Sequence, residues 1–263
     1  MRIILIMMIT ALLFSSIGFK KYVWFISIGY GFSIAGIGLA LILFSNAGAD
    51  SGTLAACILF MIYGIRLGSY LTVRERNNSY NNKMKNEIKA DTGVRMFRRF
   101  GIWVSASLLY VCETCPVAFR INNGSQDDIF LTVGLIISAV GLITEYSADI
   151  QKGTSKKRNP GRFVDTGLYR LVRCPNYLGE MLFWTGIFLS GIRVYNSVLQ
   201  WIAALSGYLG IIYVMFSGAR RLELRQNRTY GNDPEYQQYI KTTPIMIPFI
   251  PLYSVEKHKW LVG

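Results

Sequence analysis

The chain has 263 residues, of which 52% are hydrophobic and only 16% charged, and its net charge is +13. A mean hydropathy of +0.32 argues against a soluble globule, which would leave too much hydrocarbon facing water. The single histidine, His258, argues against a His-built metal site and against catalysis by a His base.

Apolar runs over 3–18, 22–44, 52–73, 99–116, 128–147, 177–192 and 198–217 predict an all-α, multi-pass membrane bundle of about seven transmembrane helices, the sixth being marginal in length. Met1 and Arg2 precede the first run in the manner of a secretory signal. However, "LLFSSIGFKKYVW" has no small-x-small cleavage site and a second run follows at once, so the first is expected to stay as a helix. The second run contains "GYGFSIAGIG" (29–38). It lacks the strand-turn-helix setting of a dinucleotide fingerprint, and its glycines suit close helix packing instead. Arg66 lies inside the third run, where a cation costs about 2.5–3.5 kcal/mol and calls for an interior partner. The polar, Asn-rich stretch 74–93 reads as disordered or as a short surface helix. "CETC" (112–115), in the fourth run, reads as packing, with a redox or disulfide role left open.

The seventh run ends near Ser217. Beyond it, "ARRLELRQNRTYGNDPEYQQYIKTTPIMIPFIP" (219–251) begins with helical spacing, "YGNDPEY" reads as a turn into another short helix, and Pro244, Pro248 and Pro251 stop further helix. There is neither an internal repeat nor a coiled-coil heptad. Of the 28 Lys and Arg, 24 fall in one alternate set of loops, leaving Arg2, Arg120 and Arg193 in the other set and Arg66 within a span. This bias predicts an integral membrane protein with its N-terminus outside and its C-terminus in the cytoplasm. The charge fits anionic lipid contact or a bound polyphosphate, and nothing in the pattern points to nucleic acid.

One short stretch carries chemistry. In "GLYRLVRCPNYLGEMLFWTG" (167–186), Pro175 is suited to the first position of a helix, which makes Cys174 its cap. Asn176, Glu180 and Trp184 are four residues apart and share one face. A carboxylate one turn into a membrane helix should face a protein cavity, and the helix start favours an anionic group such as a phosphate. A purely structural alternative has Asn176 bonding backbone and Glu180 paired with Arg170 or Arg173.

The stretch resembles the C-terminal signature of the steroid 5α-reductase family, including its bacterial members of the domain-of-unknown-function type. "NYLGE" with Trp four residues after Glu carries the likeness. "EYSADIQKGTSKKRNPGRFVDTG" (145–167) looks like that family's cofactor loop, 219–251 like its final cytoplasmic segment and "YGIRLGSYLTVRER" (63–76) like its Arg-bearing helix. The resemblance implies one membrane-embedded reductase domain over 1–263, with N-terminal helices 1–76 on the substrate side and a cofactor-binding region over 145–251. It implies NADPH as cofactor and a lipophilic substrate reached from the bilayer, with a 3-oxo-Δ4-steroid the first choice and membrane lipids as neighbours, in a bacterial inner membrane or its equivalent. Asn176 and Glu180 would hold the nicotinamide end, Asp149, Arg158 and Arg162 the ribose and phosphates, and Arg66 and Arg220 would close the site. No metal is implied.

The chain departs from the pattern in two places. Many bacterial relatives have His where it has Cys174, and the span 22–44 holds no Asp or Glu to serve as the acid for a substrate carbonyl. Tyr30, Tyr63 or Asp50 are the replacements. Two alternatives remain: a membrane methyltransferase of the isoprenylcysteine or phospholipid type using S-adenosylmethionine, and a non-catalytic lipid-binding protein. Against the methyltransferase stand Cys174, Glu180 directly after Gly179, and "ARRLELR" where a paired-Glu motif is expected.

Overall fold

The computed structural model describes residues 2–44, 50–76 and 95–262. The described elements are α1 (Arg2–Ser15), 3-10 turns at Ser16–Phe19 and Tyr22–Ile26, α2 (Ile28–Phe44), α3 (Ser51–Glu75), α4 (Met96–Asn122), α5 (Ile129–Arg158), a 3-10 turn at Gly167–Arg170, α6 (Pro175–Ser190), α7 (Val198–Tyr230) and α8 (Pro234–Thr242). No strand occurs among the described residues. From residue 77 on, the stretch 74–93 lies outside them.

Among the described residues, six helical segments are long and apolar enough to cross a membrane: Arg2–Phe19, Tyr22–Phe44, Ser51–Glu75, Met96–Asn122, Ile129–Arg158 and Val198–Tyr230. The protein is a multi-pass helical membrane protein. The remaining expected span, the sixth at 177–192, is the 16-residue α6. At 1.5 Å per residue it reaches about 24 Å, short of the roughly 30 Å of hydrocarbon. Its helix breaks off at Ser190, where Gly191 N and Ile192 N already close onto Phe188 O and Leu189 O.

Several helices outrun their apolar stretches. The helix α5 continues to Arg158 and α7 to Tyr230, because the Lys, Arg, Gln and Glu that follow the hydrocarbon segment are themselves good helix formers. The chain then turns at Gly231. Asp233 caps α8 by accepting from Glu235 N and Tyr236 N, with Pro234 at the first position, and the helix ends just before Pro244. Both the turn and the stop are where the sequence places them.

The chain forms two compact units, Met1–Leu135 with Ile187–Tyr208, and Ile136–Gly186 with Leu209–Gly263. In the first, the glycines of α2 do what their spacing predicts. A Cβ on Gly31 would come within 2.6 Å of Gly68 N and 2.9 Å of Gly64 O, and one on Gly38 within 2.7 Å of Cys57 O, so α2 and α3 meet backbone to backbone. At one end of this unit Arg120, 1% exposed, donates to Asp128 and to Ser190 O (both 2.8 Å), to Thr53 Oγ1 (3.3 Å) and to Gln126 O. Asp127 accepts from Ser51 Oγ and Gly52 N, capping the start of α3. At the other end Lys21 and Trp24 Nε1 both donate to Glu75 (2.7 and 3.2 Å).

Candidate active site at the entry to helix α6

The second unit is organised around the start of α6. Gly167 takes a left-handed φ of 62°, and a Cβ there would strike the Gln151 side chain. Instead, Gln151 Oε1 accepts from Leu168 N at 2.9 Å. Tyr169, buried, donates to Ala148 O, and its carbonyl accepts from Tyr239 Oη at 2.7 Å. The next residues are held by the segment after α8: Arg173 N donates to Pro244 O and Cys174 N to Ile245 O, each at 2.9 Å. Pro175 then opens α6, and Leu178 N closes onto Cys174 O at 3.1 Å, as the capping argument requires.

Two glycines fix how α6 lies on α5. A Cβ on Gly179 would meet Glu145 N at 2.5 Å and Gly141 O at 2.7 Å. Ser138 Oγ adds a bond to Phe183 O at 2.9 Å. This contact places Glu145 and Asp149, one turn apart on α5, along the same helix pair as Asn176 and Glu180, one turn apart on α6. Glu145, Asp149 and Glu180 are buried, Asn176 is half-buried, and Trp184 is 1% exposed. The shared face expected for Asn176, Glu180 and Trp184 therefore turns inward.

The structural alternative offered above paired Glu180 with Arg170 or Arg173. Arg173 instead donates to Glu223 of α7 at 2.8 Å, with both side chains 2% exposed, and also to Tyr253 O. The second oxygen of Glu223 accepts from Val255 N at 2.9 Å. This pair clamps the entry to α6 between α7 and the segment beyond α8. Sequence reasoning missed it, because its partners are fifty residues apart and each reads alone as one more charge in a basic segment. Glu145 was missed as well, although a carboxylate late in an apolar run is a readable signal.

The basic residues assigned to ribose and phosphates are divided. Arg158 is exposed at the end of α5. Arg162 is held by Asp165 at 2.8 Å and by Glu235, and lies 4.8 Å over the Phe163 ring. Its hydrogen bond to Glu235, then that to Asp165, push its already high pKa further up. Arg220 donates to Glu256 O (3.0 Å) and Leu261 O (3.3 Å), tying down the chain beyond α8. Lys156 donates to Arg162 O and to Tyr230 Oη (2.8 Å), beside stacked rings of Phe163 and Tyr239 (5.3 Å, 25°).

Cys174 is buried, and desolvation pushes its thiol up to about 12, against the lowering influence of Arg173 and Lys152. Burial thus favours the protonated, uncharged thiol at this capping position. Burial likewise pushes the Tyr236 phenol up to about 12.

In the first unit Tyr63 Oη donates to Tyr30 Oη at 3.1 Å, and the guanidinium of Arg66 lies 6.0 Å from the Tyr63 ring centre. Tyr110 completes this cluster. Its ring is 5.0 Å from that of Tyr30, and its hydroxyl donates to Phe25 O at 2.6 Å. One turn on from Tyr110, Glu113 is 3% exposed. Neither residue was singled out by the sequence reading, although Glu113 stands in plain view inside "CETC". Asp50 precedes α3, where it accepts from Leu54 N through its backbone carbonyl. Cys112 and Cys115 are free thiols, and among the described residues no group of three or more His, Cys, Asp or Glu is placed to hold a metal ion.

A family model described as "Protein of unknown function (DUF1295)" matches residues 13–243, so the chain belongs to that family. Among curated proteins, a "Probable O-methyltransferase ustE" from Ustilaginoidea virens is 34% identical over 94 residues, which is 34% of this chain and 33% of that protein. The chain thus matches about a third of the length of that relative. No solved structure matches it.

Proposed function

We propose that this membrane protein of the DUF1295 family uses NADPH to reduce an activated carbon–carbon double bond of a lipid, with a 3-oxo-Δ4-steroid as the substrate class to test first. One observation carries this reading: a half-buried carboxamide, Asn176, and a buried carboxylate, Glu180, stand one turn apart on an inward face whose entry is clamped by Arg173 and Glu223. A nicotinamide amide offers both N–H and C=O. Glu180 accepts from the first, and Asn176 donates to the second.

The fit to the rest of the cofactor is uneven. Asp149, buried on α5, suits a ribose hydroxyl, and exposed Arg158 suits a phosphate, for which a guanidinium has matching geometry. Arg162 meets a phosphate by giving up Glu235 or Asp165, and Arg220 by giving up a carbonyl of the chain beyond α8. When bound, NADPH supplies a hydride to the β-carbon of an enone. The role of Glu180 and Asn176 is to fix which ring face is presented. A hydrogen-bond donor at the substrate carbonyl stabilises the negative charge that develops there.

The O-methyltransferase relative favours a second reading, methyl transfer from S-adenosylmethionine. Ligand binding by the purified chain in detergent separates the two. NADPH is expected to bind far more tightly than NADH and S-adenosylmethionine not at all. Binding of S-adenosylmethionine without NADPH would replace reduction with methyl transfer.

A further inference from the structure

Beyond α8 the chain turns back along α7 within the same unit. Ile245 N donates to Leu252 O at 2.8 Å. Inside this turn Phe249 adopts a φ of 65°, and the residue is 98% exposed. A left-handed backbone is unfavourable for an aromatic residue, so the turn holds an apolar ring outward at a conformational cost.

Farther on, the segment docks on α7. The Trp260 ring stacks on that of Tyr213 (6.1 Å, 29°). Tyr213 Oη donates to Trp260 O at 3.0 Å and accepts from Val262 N at 3.3 Å. Arg220 secures the same segment through Glu256 O and Leu261 O. Between the two lies an apolar groove of about 370 Å³, walled by Leu209, Ile212 and Phe216 on one side and by Leu252, Val255 and Leu261 on the other. Leu209, Ile212, Tyr213 and Phe216 are one face of a membrane-spanning helix, so the medium that reaches this groove is hydrocarbon. Exposed Lys257 and Lys259 flank exposed His258 near its edge, while the neighbouring Glu256 carboxylate is taken by Asn227 Nδ2 at 2.9 Å. Stacked Trp and Tyr beside lysines that can reach outward form the composition of a membrane–water boundary.

We propose that this groove holds an acyl chain of an anionic phospholipid, with the headgroup on Lys257 and Lys259 and with Phe249 and Trp260 inserted beside it. None of Asp149, Asn176 or Glu180 lines the groove, so the assignment stands whether or not the protein is a reductase. The full chain is reconstituted in phosphatidylcholine nanodiscs containing increasing fractions of either brominated phosphatidylglycerol or brominated phosphatidylcholine. Tryptophan emission is read for the wild type and for Trp260→Phe, and the difference isolates Trp260. Half-quenching is expected at a brominated phosphatidylglycerol fraction lower by roughly fivefold for each lysine engaged. Lys257→Gln/Lys259→Gln should bring the two lipids level. Equal quenching by both lipids in the wild type, no quenching that depends on Trp260, or an undiminished preference in the double variant would each overturn the proposal.

Discussion

Arg173, one residue before the cap of α6, and Glu223, in the charged last part of α7, form an ion pair of 2.8 Å with 2% of either side chain exposed. Removing one partner of a buried pair leaves the other charged and alone, which costs about 3–5 kcal/mol. Arg173→Met and Glu223→Leu should therefore each lower the thermal midpoint sharply in detergent. The double variant should recover only part of the loss. Tyr253 O and Val255 N lose a donor and an acceptor with the pair, and such orphaned groups cost about 1–3 kcal/mol each. Full recovery in the double variant would show the pair to be isolated from the returning segment.

The packing of α5 on α6 gives a paired test. Gly179→Ala places a methyl against Glu145 N and Gly141 O, both backbone, so the helices must part; about 1–3 kcal/mol of stability should be lost, with activity falling alongside. Gly101 has open space where its Cβ would be. Gly101→Ala should thus be neutral or stabilising by about 0.5–1 kcal/mol, since glycine is a poor helix interior residue. Thermal unfolding of both variants checks the contrast.

Acid should loosen the end of the first unit that holds Arg120. Burial by itself raises the Asp128 carboxyl, but hydrogen bonds from Arg120, Leu131 N and Phe130 N and the charge of Arg120 outweigh it and hold the group below its ordinary value. A lowered folded pKa means stability that is fully present above the unfolded pKa of about 3.9 and is lost as pH falls through the folded one. Unfolding measured from pH 6 down to pH 3 should show a slope that Asp128→Asn removes, with that variant less stable at pH 6. An identical acid slope in Asp128→Asn would assign it to other carboxylates.

The loop charges predict a sidedness that labelling can read. A cysteine introduced near Asn123 should react with an impermeant reagent added outside, and one near Ser155 only after the membrane is opened. The four native cysteines are first replaced by serine or alanine. The reverse pattern would put the basic segment 149–162, the end of α5 and the turn after it, in the compartment without NADPH.

What could be read from the sequence follows the reach of each signal. Hydropathy reports where hydrocarbon is tolerated, so six of the seven apolar runs appear as spans. It does not report where a helix stops, which is why α5 and α7 extend beyond their runs and α6 falls short of a span. Pro175 and the Asp233–Pro234 turn were legible because their physics is local, and Gly31 because a glycine-rich span suits close packing whichever helix meets it. Arg173 with Glu223, Arg162 with Glu235 and Arg220 with the chain beyond α8 were not. A basic residue announces its charge, whereas its partner is chosen by folding from dozens of residues away.

The Glu180 test bears most directly on chemistry. Its carboxylate is buried on the second turn of α6, and the Gly179 contact behind it leaves the backbone little freedom to shift. If it accepts from the nicotinamide amide, its loss misplaces the reacting ring, and rate should suffer more than folding; misplacement of that kind costs about 100-fold. Glu180→Gln keeps shape and an acceptor oxygen but loses the charge, while Glu180→Ala loses both, so enone reduction should fall in the order wild type, Gln, Ala. Asn176→Ala should behave like Glu180→Ala, being one turn away on the same face. Size-exclusion profiles and NADPH binding, measured on the same preparations, separate a misplaced ring from a misfolded chain. Undiminished reduction by a well-folded Glu180→Ala variant would make this buried acid purely structural.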